Sequence, residues 1–143
     1  SFSFSTKMHF IPIKDGEESG ISLFQKDDAY IKFTVLRKSG VEFLSLVRES
    51  EKFGTKVLKV MELKGYNGNI FLSAESVEGV YNFKFSLNSR KGHTDFYKVE
   101  KDALLSHGYT GAYLGLYGST NFGKGKSHAD FDWVNIEYPR KVN

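Results

Sequence analysis

The stretch Tyr81-Asn82-Phe83-Lys84-Phe85-Ser86-Leu87 decides the fold. Apolar side chains at 81, 83, 85 and 87 alternate with polar ones at 82, 84 and 86. That period of two is the signature of a strand with one buried face; a helix needs spacings of three and four. Glu78-Gly79 turns the chain before this strand, and residues 88–92 turn it afterwards.

The same rhythm extends outward. Ile70, Leu72 and Ala74 alternate with Phe71 and Ser73, behind a turn cluster at 64–69. Val57, Leu58, Val60, Met61 and Leu63 mark a strand over 55–63. Ile31, Phe33 and Val35 alternate with Tyr30, Lys32 and Thr34. Ser39-Gly40 turns, and Val41, Phe43, Ser45 and Val47 run back, so 29–48 reads as a hairpin. Phe2, Phe4, Thr6, Met8 and Phe10 share one face of a first strand. A turn signal over Lys14–Gly20 separates it from a short strand at Ile21, Leu23 and Gln25.

Beyond the central stretch, 95–100 reads as a strand and 99–107 as the one helical turn. Residues 112–117 are apolar on both faces, which predicts a central strand, and 129–138 form the last one. About ten strands at this spacing predict an all-β sandwich or barrel.

Composition agrees. A chain of 143 residues is one domain, 1–143, able to bury a core. Aromatics are 15% and Gly outnumbers Pro 14 to 2, so glycine makes the turns. No Cys is present, which removes disulfides and thiolate chemistry. Apolar runs fall short of the roughly 18 residues that cross a membrane as a helix. The net charge of +3 is scattered, unlike the basic stripe of a nucleic-acid binder. The sequence opens Ser1-Phe2-Ser3-Phe4 without initiator Met or signal peptide, which reads as a mature product or an excised piece. Localisation stays open between bacterial cytoplasm, periplasm and secretion.

Few constellations carry chemistry. Gly118 to Gly125 nearly spells a phosphate loop, but Gly125 replaces the magnesium-binding hydroxyl and a strand follows instead of a helix. His9, His93, His107 and His128 form no close pair, so neither a zinc site nor a catalytic triad is announced. Asp15, Glu17, Glu18, Asp27 and Asp28 fall in turns, where solvated carboxylates are the default. Asp130 and Asp132 share a strand face, and Asp132 is the candidate ligand for a structural Ca²⁺, although calcium wants six to eight oxygens. No cofactor is required. The eight tyrosines and Trp133 join an apolar face to a polar handle, suited to stacking on sugar rings.

Tyr109-Thr110-Gly111-Ala112-Tyr113-Leu114-Gly115-Leu116-Tyr117, followed by Ala129-Asp130-Phe131-Asp132-Trp133, resembles the end of the C-terminal β-sandwich of family-43 glycoside hydrolases, the β-xylosidase and α-arabinofuranosidase group. Thr6-Lys7-Met8-His9-Phe10-Ile11-Pro12 is similar to that family's Thr-x-x-x-Phe-x-Pro. Residues 18–28 resemble its Glu-x-Gly-Leu-x-Leu-Tyr-Gln-x-Asp-Asp. Residues 86–92 depart from it, lacking the Trp of the usual hairpin.

The resemblance implies a concanavalin A-like jelly roll of two antiparallel sheets. It implies a noncatalytic accessory domain packed on an N-terminal catalytic propeller, in an enzyme acting on plant cell-wall oligosaccharides of xylan or arabinan type. It also implies that the loop before the Thr-Gly strand helps shape the sugar pocket, through Tyr109 and His107. One rival is an independent carbohydrate-binding module with Tyr30, Tyr81 or Tyr113 as a platform on the concave sheet. A self-standing laminarinase-like enzyme would need a Glu-x-Asp-x-x-Glu strand, which this sequence lacks.

Overall fold

The computed structural model describes residues 2–25, 29–51, 54–87, 93–100, 112–119 and 129–137. These form β1 (Phe2–Phe10), β2 (Glu18–Gln25), β3 (Ala29–Lys38), β4 (Val41–Ser50), β5 (Gly54–Glu62), β6 (Asn69–Val77), β7 (Val80–Ser86), β8 (Thr94–Glu100), β9 (Ala112–Ser119) and β10 (Ala129–Glu137). Two five-stranded sheets result: sheet A in the order β10-β1-β6-β7-β8, and sheet B in the order β5-β4-β3-β2-β9. Every pairing is antiparallel, which gives the all-β sandwich that the alternation predicts.

The core lies between the sheets. Sheet A contributes Phe4, Met8, Ile70, Leu72, Tyr81, Phe83 and Phe96; sheet B contributes Ile21, Leu23, Ile31, Phe33, Val35, Leu44 and Leu46. Phe33 meets Phe83 edge-on at 5.5 Å between centroids and Phe96 at 5.3 Å, so aromatic contacts join the layers. Lys59, on edge strand β5, donates from Nζ to Phe96 O at 3.1 Å and sits 4.8 Å from that ring's centroid. It thereby closes the gap between β5 and β8, and places a charge where another strand would otherwise add.

Local chemistry fixes the hairpins. Ser39-Gly40 and Glu78-Gly79 both have positive φ at their two central residues, the two-residue turn whose twist matches that of antiparallel strands. The connection from β1 to β2 is held by carboxylates. Glu17 Oε1 accepts from Ile13 N and Lys14 N, each at 2.7 Å. Asp15 Oδ1 accepts from Gly40 N at 2.9 Å and Arg37 Nε at 3.2 Å.

Several expectations need correction. β9 ends sheet B and pairs only with β2 among the described residues, so it is not central. Apolar residues at both parities of a strand do not by themselves require two hydrogen-bonded neighbours. Val99 and Glu100 belong to β8, and the rest of the expected helical turn, 101–107, lies outside the described residues. In β4 the core takes Leu44 and Leu46, not the parity of Val41, Phe43 and Ser45. Register with Val35 and Phe33 selects them, while Leu58 is the extra residue of a bulge in the facing strand β5. Glu17 and Glu18 are buried, at 2% and 3% exposure, rather than solvated, and Glu18 opens β2 instead of lying in a turn.

Candidate functional site

Glu18, Gly20, Ser22 and Phe24 occupy alternate positions of β2, opposite Leu36, Thr34, Lys32 and Tyr30 of β3. The intervening Ile21 and Leu23 enter the core, so the first set belongs to the outer face of sheet B. A polar seam runs along it. Lys32 Nζ lies 3.1 Å from Glu18 Oε2, and Thr34 Oγ1 donates to Glu18 Oε1 at 3.0 Å. Both oxygens of the buried carboxylate are therefore engaged, which offsets its desolvation. Ser22 Oγ is buried and has no hydrogen-bond partner. Gly20 sits where a Cβ would lie 2.1 Å from Phe33 O and 2.7 Å from the Thr34 Cα, so β2 and β3 approach too closely there for any side chain.

Register also lines up the aromatic positions. Tyr30 lies opposite Phe24, and Phe24 opposite Tyr113 of β9, so three neighbouring strands carry an aromatic residue in one row. Glu49 of β4 faces Tyr30 from the other side. Tyr30 is half-buried. Tyr81 does not belong with this row: it lies on sheet A, 1% exposed and packed in the core, and its ring offers no face to a ligand. It follows the inward parity of Phe83, which makes it a core residue by the same alternation that identifies the strand.

Tyr109 and His107 lie outside the described residues. The backbone of Asp132 is the extra residue of a bulge in β10, between Phe131 opposite Met8 and Trp133 opposite Lys7. The simple alternation that placed Asp130 and Asp132 on one face is interrupted there. Among the described residues no three His, Asp or Glu side chains gather as a metal site.

The outer face of sheet A is charged. Lys84 Nζ lies 2.8 Å from Glu75 Oε1 and 3.8 Å from Asp95 Oδ1. The Glu75 hydrogen bond, opposed by partial burial, holds the Lys84 ammonium above its ordinary pKa. Asn82 Nδ2 donates to Glu75 Oε1 at 3.1 Å and to Asp95 Oδ1 at 3.4 Å. Further along, Lys7 lies over Phe71, which contacts His93, and His93 Nδ1 is 3.3 Å from Ser73 Oγ. His9 Nδ1 pairs with Asn69 Oδ1 at 3.0 Å. These two histidines thus have local structural partners. A cleft of about 380 Å³ opens beside Asn82, lined by Glu75, Val77, Glu78, Val80 and Lys98.

Two five-stranded antiparallel sheets enclosing one core form the architecture of a concanavalin A-like β-sandwich. Residues 1–137 match the family described as the β-xylosidase C-terminal concanavalin A-like domain, and the chain belongs to that family. It is 26% identical over 135 residues to the non-reducing end α-L-arabinofuranosidase BoGH43B of Bacteroides ovatus, covering 92% of this chain and 25% of that protein. The crystal structure of the GH43 protein BlXynB from Bacillus licheniformis superposes with a TM-score of 0.78 at 22% identity, over 94% of this chain and 27% of the other. A functionally unknown protein of Saccharomyces cerevisiae superposes with a TM-score of 0.79 at 14% identity, over 97% of this chain and 70% of the other. The structural likenesses show the fold. The chain spans about a quarter of the length of the arabinofuranosidase it matches.

Proposed function

We propose that this chain is a noncatalytic accessory domain of a glycoside hydrolase acting on xylan- or arabinan-type oligosaccharides. It packs on an N-terminal catalytic propeller of the parent chain and lends that domain's sugar pocket the loop carrying His107 and Tyr109. The observation that carries the reading is one of proportion: 92% of this chain matches only 25% of an arabinofuranosidase. Chemistry supports Tyr109 in particular. Tyr109 stands between Gly108 and Gly111 in the sequence, and a ring closing a pocket excludes water and limits substrate length.

The test is kinetic. The chain alone should release no nitrophenol from nitrophenyl xyloside or arabinofuranoside. In the full-length parent, Tyr109→Ala should raise KM or change the preference for substrate length. Turnover by the chain alone, or unchanged kinetics in the variant, would overturn the reading.

A second reading has its own observation. The positions of Tyr30, Phe24 and Tyr113 fall in one row across three strands beside Glu49, and aromatic residue types in such a row suit a sugar that stacks on rings. On that reading the outer face of sheet B binds carbohydrate independently.

A further inference from the structure

We infer that the cleft on the outer face of sheet A, at the β6–β7 hairpin, is the seat on which the preceding catalytic domain rests. This deepens the accessory reading and depends on it.

Topology places the cleft where the chain enters and leaves. β1 begins at Phe2 opposite Ser76, and Ser3 lies opposite Glu75. β8 ends at Glu100 opposite Val80. Polypeptide preceding β1 therefore joins the sheet beside Glu75, and the connection toward Tyr109 departs beside Val80. Ser3, Glu75, Asn82 and Lys98 form one row across four strands, with the cleft above it. The start of β1 and the end of β8 thus flank the same surface.

The lining has the anatomy of a partner-bound surface. Val77 is 53% exposed at the hairpin tip, next to half-buried Val80. Glu78 and Lys98 stand exposed around them as a charged rim. An apolar centre within a polar rim is the pattern of interdomain contacts. Asn82 fixes the floor of the cleft, because its Nδ2 donates to both Glu75 and Asp95. The occupant is the catalytic polypeptide that precedes this domain, presenting an apolar side chain to Val77 and charges complementary to Glu78 and Lys98. About three-quarters of the matched arabinofuranosidase lies outside the part shared with this chain, so there is ample protein to supply it.

The experiment compares the 143-residue chain with its full-length parent. Amine labelling should be severalfold slower at Lys98 in the parent, while Lys38, Lys56 and Lys64, exposed elsewhere, should label equally in both. Val77→Asp should lower the melting of the chain alone only slightly, because that side chain is already more than half exposed. In the parent it should split a single cooperative transition into two. Protection of other lysines with Lys98 unchanged would move the seat and leave the accessory reading intact. No protected lysine anywhere in the parent would end both. Concentration-dependent protection of Lys98 in the chain alone would make a second copy the occupant and overturn the inference.

Discussion

Tyr66 shows how one side chain ties an irregular segment to the sandwich. It projects from the turn between β5 and β6, and its hydroxyl donates to Phe10 O at the end of β1. The adjoining Phe10 N donates to Gly68 O at 2.8 Å, so the turn and strand end are fastened twice. Burial, reinforced by the nearby Glu42 charge, pushes the phenol well above its ordinary pKa of 10.0. The native state therefore keeps the proton at a pH where the unfolded chain loses it. The contribution is complete below about pH 10 and declines as pH rises beyond it. Tyr66→Phe should cost about 1 kcal/mol at neutral pH through the lost hydrogen bond. It should also flatten the alkaline loss of stability, which urea midpoints between neutral and strongly alkaline pH will reveal; parallel slopes for the two proteins would refute the assignment. Asp15 acts with the opposite sign. The Gly40 N–H, with Arg37 beside it, holds its carboxyl below the ordinary range. Its stabilisation is present at neutral pH and is lost as pH falls through the carboxylate range, to a small extent because the group is solvent-exposed.

At the level of elements, the pairing of β2 with β3 is the tightest constraint. Gly20 is required for space, since a methyl there would strike the backbone of β3 itself. Gly20→Ala should destabilise by about 1–3 kcal/mol and disturb the Glu18–Thr34 hydrogen bond on the same face. A lower urea midpoint with unchanged slope would report this; an unchanged midpoint would show that the strands can part at no cost. The sequence revealed most strands because a half-buried strand must alternate, and it revealed the Ser39-Gly40 and Glu78-Gly79 turns because positive φ selects such pairs. It misplaced Gly20 and Glu18 in a turn because glycine and carboxylates are turn residues by default. Only the neighbouring strand supplies the reason for this glycine and the Lys32 and Thr34 partners for this acid. β4 was legible as a strand but not in its facing, since apolar residues occupy both parities and the choice belongs to β3. Tyr81 was legible as a core residue, and its suitability for sugar stacking by residue type competed with that reading until burial decided it.

For the whole molecule, the two functional readings put their contacts on different surfaces, which makes them separable. An accessory domain acts through the surface that meets its catalytic partner and has no need to hold sugar by itself. A binding module must hold sugar alone, on a face already organised before the ligand arrives. The seam of sheet B is organised: Glu18, Lys32 and Thr34 are locked together beneath the positions of the aromatic row. Titrating the 143-residue chain with xylo- and arabino-oligosaccharides by calorimetry or amide chemical shifts therefore discriminates between them. The accessory reading expects no saturable response at millimolar sugar. The module reading expects sub-millimolar binding, with shifts confined to β2, β3 and β9, and a loss of at least about 1 kcal/mol on Tyr30→Ala from the missing stacking contact. Shifts gathered on sheet A instead would exclude the aromatic row as the binding surface, because that row lies on sheet B and Tyr81 of sheet A is sealed within the core.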